Sequence, residues 1–174
     1  MIAYAKGNIT KFDVDAIVNA ANGFGYMGGK RCVTELHRGV AESIQFASQG
    51  AVEQLARAKC KTQPFFSYAP GDVFVTDAPN LVCRKVIHAV TMRTPGSKAK
   101  ISNIIKLIPK IIATAEQLNI ESVAVPLLGC GTGRLDTKVV QELLADNLIS
   151  DKVTCLLSTS PSPRAYAASR MPSS

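Results

Sequence analysis

Residues 18–30 read VNAANGFGYMGGK. An apolar segment runs into two asparagines and then four glycines within seven residues. Glycines at that density build no core, and their backbone amides can approach an anion without side-chain interference. The residues just before, Asp15 to Asn19 (DAIVN), are rich in β-formers and read as a strand. After the glycines, Val33, Leu36, Val40 and Ile44 recur at helical spacing. Strand, glycine loop and helix in this order are the unit of a layered α/β domain.

The rest of the chain repeats that alternation. Ile2 to Lys6 is a short apolar strand, and Gly50 to Lys61 is a second helical piece. Pro64 and Pro70-Gly71 mark loops. DVFVT (72–76) and RKVIHAV (84–90) read as strands. Ile101 to Leu118 has helical period but contains Pro109, which predicts a kink or two abutting helices. SVAVPLL (122–128) is a buried strand, Leu135 to Ile149 a helix with Asp136 as N-cap, and Val153 begins a last strand. A sheet that is largely parallel, with helices on its faces, is expected.

Composition narrows the function. The 174 residues suit one domain, and 47% hydrophobic content supplies a core. No apolar run reaches the ~18 residues of a membrane helix, and no secretory signal is evident. Five cysteines without a C-x-x-C pair, and two histidines, argue against zinc and for a reduced, cytoplasmic protein. No metal or cofactor is implied. The charge of +7 is spread along the chain without a long basic run, and reads either as solvated basic surface or as a match for an anionic ligand or nucleic acid.

A second glycine loop, Gly129-Cys130-Gly131-Thr132-Gly133, follows the SVAVPLL strand. Ligands of such sheets sit at the carboxyl ends of the strands. Two glycine loops, each leading into a helix, suit a diphosphate better than a monophosphate. Asn22 can pair with sugar hydroxyls, whereas Asn19 is expected to tie the loop backbone together. Cys130 fails as a phosphatase nucleophile, because Arg134 follows it by four residues where such loops need six. The G-x-G-x-G run lies too late in the chain for a dinucleotide fold. His88, in an apolar strand, reads as a satisfied core histidine, and His37 as a residue capping or packing under the first loop.

The segments GNITKFDVDAIVNAANGFGYMGG, KVIHAV and SVAVPLLGCGTGRLD resemble, in order, the opening, a later strand and the second phosphate loop of a macro domain, the ADP-ribose-binding module. The resemblance covers about residues 2–154. It implies a three-layer α/β/α sandwich with a mixed, mostly parallel sheet and ADP-ribose lying across the strand ends. Asn8 and Ile9 match the adenine-reading pair. Asn8 stands where aspartate is usual, so its carbonyl would accept from the adenine amino group more weakly. Asn22 matches the distal-ribose asparagine, Gly28 and Gly29 the first phosphate loop, and Gly129 to Gly133 the second. The resemblance implies ADP-ribose or an ADP-ribosylated macromolecule as partner, with nucleic acid among the modified substrates and no membrane. A monomer is expected.

One hydrolytic branch of this family has a loop reading G-G-G-G-V-D-G-A-I-H. Alignment on His37 puts Val33 at its aspartate and Lys30 and Arg31 at its last two glycines. Glu35 lies two residues on, about 200° around a helix, and faces away. The second loop is more similar to the branch that removes ADP-ribose from DNA or protein carboxylates. That branch uses a lysine just after the KVIHAV strand, where this chain has Met92 and then Arg93, which stays protonated. Both usual catalytic side chains are missing. The enzymatic reading left is substrate-assisted hydrolysis, with water held between Asn22 and a ligand phosphate. Lys30 either pairs with the diphosphate, crowds the site, or points to solvent.

Residues 155–174, CLLSTSPSPRAYAASRMPSS, contain no acidic residue and resemble a translated sequencing adapter. Ser158 stands in place of its tyrosine and Ala165 in place of its aspartate. This tail is expected to be non-native, and the domain is read as 1–154 with its own C-terminus missing. The classes expected are a reader of ADP-ribose, an eraser that hydrolyses it, and an anion-binding scaffold without nucleotide specificity.

Overall fold

The computed structural model describes residues 2–28 and 39–159. Gly29, Lys30, Arg31, Val33, Glu35, Leu36 and His37 lie outside the described residues, as does the tail from 160 onward. Six strands and four α-helices are described: β1 (Ile2–Ala5), β2 (Ala16–Asn22), α1 (Val40–Ala47), α2 (Ala51–Lys61), β3 (Val73–Asp77), β4 (Lys85–Met92), α3 (Ile101–Gln117), β5 (Ser122–Val125), α4 (Thr137–Asn147) and β6 (Thr154–Ser158). They form one sheet in the order β1-β6-β5-β2-β4-β3, parallel except for the antiparallel β3–β4 pair.

The middle strands are buried on both faces, which is why they read as continuous apolar runs. Ala16, Val18, Ile87 and Ala89 pack with Ile104, Leu107 and Ile111 of α3 and Val140 and Leu144 of α4. The alternate residues Ile17 and Val86 pack with Ile44 of α1 and Val52 of α2. Period-two alternation thus divides the strands between two helical layers, giving the α/β/α sandwich.

Three boundaries differ from the sequence expectation. β2 continues past its β-branched residues to Asn22, because Ala20 and Ala21 pair with Ala89 and Val90 of β4. β5 ends at Val125, since Pro126 has no N–H to give the ladder. α3 runs through Pro109 as one helix rather than as two abutting ones. Pro109 is exposed and Ile105, whose carbonyl loses its partner, is 53% exposed, so water can satisfy that group. β6 lies between β1 and β5, with Cys155 and Leu157 fully buried.

Candidate functional site

Parallel β2 and β5 are hydrogen-bonded neighbours, with Ala16 opposite Val123 and Ile17 opposite Ala124. Both glycine loops leave the carboxyl ends of these strands, so they rise from one edge of the sheet. Asn8 follows β1 at that same edge. β1 and β2 stand three strand spacings apart, about 14 Å.

The first loop is built on Asn22. Its Oδ1 accepts from the amides of Phe24 (3.1 Å) and Tyr26 (3.2 Å), and its Nδ2 donates to the Tyr26 carbonyl (2.7 Å). The Gly25 amide donates to the Asn22 carbonyl (3.3 Å). The Gly23 amide reaches the carbonyls of Met92 and Arg93 at the end of β4, both at 2.9 Å. The Met27 amide donates to Oε2 of the buried Glu53 on α2 (2.7 Å). Every amide from Gly23 to Met27 is therefore engaged. The glycines serve close packing. A Cβ on Gly23 would stand 2.3 Å from the Tyr68 carbonyl oxygen, and one on Gly25, at φ +76°, 2.9 Å from the Ala56 backbone. Gly28 (φ +66°) has no such neighbour, and its amide has no acceptor among the described residues.

Asn22 takes the loop-tying part expected of Asn19. Asn22 organises the loop backbone. Asn19 lies inside β2, buried, with its Nδ2 3.2 Å from Nδ1 of His88. Nε2 of His88 lies 3.0 Å from the Thr76 hydroxyl, and the ring stacks on Phe74. Burial, reinforced by the Lys59 charge, pushes the His88 pKa down to about 3. The ring is therefore neutral at pH 7, accepting from Asn19 at Nδ1 and donating to Thr76 from Nε2. His88 is a core histidine, as expected.

The second loop has the opposite economy. Its ends are pinned: Leu135 N–H donates to the Gly129 carbonyl (2.9 Å), Arg134 N–H to that of Gly131 (3.1 Å), and Ala99 N–H to that of Gly133 (3.0 Å). The three successive amides of Gly131, Thr132 and Gly133 have no acceptor among the described residues. A Cβ on Gly133 would meet the Gly129 carbonyl oxygen at 2.5 Å, and one on Gly129 the Leu135 side chain at 2.7 Å. On Gly131 it would meet nothing within 4 Å. The outer glycines fold the turn, and the middle one faces open space. Thr132 beside it is exposed.

Three further residues answer sequence expectations. The Cys130 thiol is pushed up to about 11, by burial first, so it is no thiolate nucleophile at neutral pH. Asp136 is the N-cap of α4, and its Oδ1 accepts from the Val139 amide at 3.0 Å. The helix start is thus matched by its own carboxylate, and the loop amides carry the polarity. Asn8 Oδ1 accepts from both the amide (3.0 Å) and the hydroxyl (2.7 Å) of Thr10. Those bonds use both lone pairs that the resemblance offered to an adenine amino group, and the Nδ2 donor is left. Ile9 is buried behind it.

Sequence reading missed two supports. The segment TPGSKAK (94–100) buttresses the second loop through Ala99, and its Pro-Gly turn was the available signal. Glu53 was hidden because it interrupts the apolar stripe of α2, a position that looks like an exposed charge.

The family model described as Macro domain matches residues 18–144. The chain belongs to the Macro domain family. It is 32% identical over 146 residues to the DNA ADP-ribosyl glycohydrolase of Mycobacterium tuberculosis, covering 83% of this chain and 38% of that protein. It spans 66% of the length of two other curated relatives. The macrodomain of Mycobacterium tuberculosis DarG superposes with a TM-score of 0.74 at 26% identity, covering 92% of this chain and 99% of that one. Thermosipho africanus DarTG in complex with ADP-ribose shares the fold, with a TM-score of 0.69 at 19% identity over 95% of this chain and 46% of that one.

Proposed function

We propose that this macro domain binds ADP-ribose, free or attached to a macromolecule, across the row formed by Asn8, the 129–133 loop and Asn22. The observation that carries the reading is the run of three unclaimed amides at Gly131, Thr132 and Gly133. Successive amides without partners form an anion-binding concavity, and a pyrophosphate supplies several acceptor oxygens at once. Cys130 lines this turn. Gly28, with Gly29 and Lys30 beyond it, would close on the diphosphate from the β2 side. Asn22 has one Nδ2 hydrogen beyond its bond to Tyr26, which suits donation to a ribose hydroxyl. Asn8 would face the base through its Nδ2 donor, with Ile9 packed beneath it.

Binding is favoured over catalysis by the state of Asn22. Its carbonyl oxygen already takes two loop amides, so it is poorly disposed to orient a water for attack. The alternative, an eraser acting on ADP-ribosylated DNA, is supported by the 32% identical glycohydrolase. The fold is that of a single compact unit, and we take the working form as a monomer in a reducing, cytoplasmic setting. Calorimetric titration with ADP-ribose, with pyrophosphate as competitor, tests the binding. A nucleotide-specific site prefers ADP-ribose clearly, whereas equal competition by pyrophosphate rejects it for a generic anion scaffold. Incubation with ADP-ribosylated DNA and protein separates reader from eraser: free ADP-ribose accumulates only for an eraser.

A further inference from the structure

The same sheet edge continues past Asn22. Met92 ends β4, and the antiparallel β3 begins beside it, so the segment that precedes β3 also sits at this edge. That segment contains Phe65 and Phe66, which are 86% and 67% exposed. Both have left-handed backbone, at φ +56° and +57°. Two adjacent phenylalanines in that region are strained, and neither is compensated by burial. The turn is nonetheless fixed. The Phe66 amide donates to the Gln63 carbonyl (2.9 Å), and the Tyr68 amide to the Gly23 carbonyl (2.9 Å), which ties the turn to the first loop.

Between this turn, the first loop and α2 lies an open cleft of about 290 Å³ lined by Phe24, Tyr26, Arg57, Cys60, Lys61 and Phe66. The Arg57 guanidinium lies 4.4 Å from the Tyr26 ring centroid, and its Nη2 donates to the Tyr26 hydroxyl at 3.3 Å. Aromatic faces and two cations thus share one small surface, and no acidic side chain lines it among the described residues.

We propose that this cleft is a stacking platform for unpaired nucleotides of a single-stranded nucleic acid. Bases stack on exposed aromatic rings whatever their sequence, while arginine and lysine meet the phosphates. A peptide could also lie against aromatic rings, but two cations and, among the described residues, no acidic side chain in the lining favour a strand that carries phosphates. Its placement beyond the sugar end of the site rests on the reading of Asn22 above, and would let the strand that carries an ADP-ribosyl group run onto the rings. The platform itself does not depend on ADP-ribose.

The test uses the full chain and a fluorescent, unmodified oligothymidylate, followed by anisotropy at low salt. The variant Phe66→Gly relieves the left-handed strain, so its melting temperature should hold or rise. Its oligonucleotide affinity should fall about tenfold, the effect of losing one stacked base. Arg57→Gln with Lys61→Gln should weaken binding and flatten its salt dependence. ADP-ribose titration of the same variants should be unchanged. Wild-type protein that fails to bind the oligonucleotide, or that binds as well after Phe66→Gly, overturns the platform. An ADP-ribosylated peptide that loses affinity on Phe66→Gly while the oligonucleotide does not overturns it in favour of a protein partner. Loss of ADP-ribose binding by the wild type would overturn the proposed function and leave the oligonucleotide result standing.

Discussion

The two loops of this protein are both rich in glycine and make opposite uses of their backbone. From Gly23 to Met27 every amide is engaged, by Asn22, by the end of β4 and by Glu53. From Gly131 to Gly133 none has an acceptor among the described residues. Gly23 and Gly25 are small because neighbouring backbone is in the way, whereas Gly131 is small beside open space. A glycine count therefore identifies a tight turn, and unclaimed amides identify a candidate ligand loop.

The largest effect should come from Thr132→Trp. An indole at this exposed position would cover the unclaimed amides, and ADP-ribose affinity should fall by about 100-fold or more, roughly 2.7 kcal/mol. Calorimetry checks it, with an unchanged melting temperature showing that the turn still folds. Retained affinity would place the ligand elsewhere.

Next comes a pair of alanine substitutions. Gly23→Ala drives a methyl into the Tyr68 carbonyl and should cost about 1–3 kcal/mol of stability in denaturant unfolding. Gly131→Ala should stay within about 0.5 kcal/mol of wild type. Equal costs would erase the contrast between the loops.

Lys30 follows the first loop's last glycines and lies outside the described residues. If it pairs with the diphosphate, Lys30→Gly should weaken ADP-ribose binding about tenfold, as loss of a charge-assisted bond does. Unchanged or tighter binding by calorimetry would leave the second loop as the main holder.

Acid should reach the first loop's strand through His88. Burial lowers its pKa to about 3 from an ordinary 6.5, so the unfolded chain takes up the proton first. Stability should be full above pH 6.5 and decline as pH falls from 6.5 towards 3. The loss between pH 6.5 and 5.5 should be about 1 kcal/mol, before carboxylates contribute. Denaturant unfolding at those two pH values reads it, and a flat profile would mean that the ring is already charged or exposed in the fold.

The smallest effect concerns Asn8. Its carbonyl is occupied by Thr10, and an aspartate would keep that cap while offering a second acceptor oxygen. Asn8→Asp should tighten ADP-ribose binding a few-fold, about 0.5–1 kcal/mol. Weaker binding would mean that the Nδ2 donor is the group in use.

Much of this architecture was legible from patterning. Doubly buried strands were legible in DAIVN and RKVIHAV, and Asp136 before Thr137 announced the start of α4. That Asn22 rather than Asn19 ties the loop backbone was not legible. Ala20 and Ala21 carry little strand propensity, and it is pairing with β4 that extends β2 to Asn22. Nor could the sequence show which loop amides are already satisfied, since the acceptors of the Gly23 and Met27 amides lie far along the chain, at Met92, Arg93 and Glu53. The left-handed turn at Phe65 and Phe66 was hidden because residue identity argues against that backbone.

Amide NMR during an ADP-ribose titration tests the difference between the loops most directly. The account predicts saturable shifts, the largest of them at the Gly131, Thr132 and Gly133 amides, while the amides of Phe24 to Met27 stay close to their free positions. Large shifts confined to the 24–27 amides, with 131–133 unmoved, would contradict it.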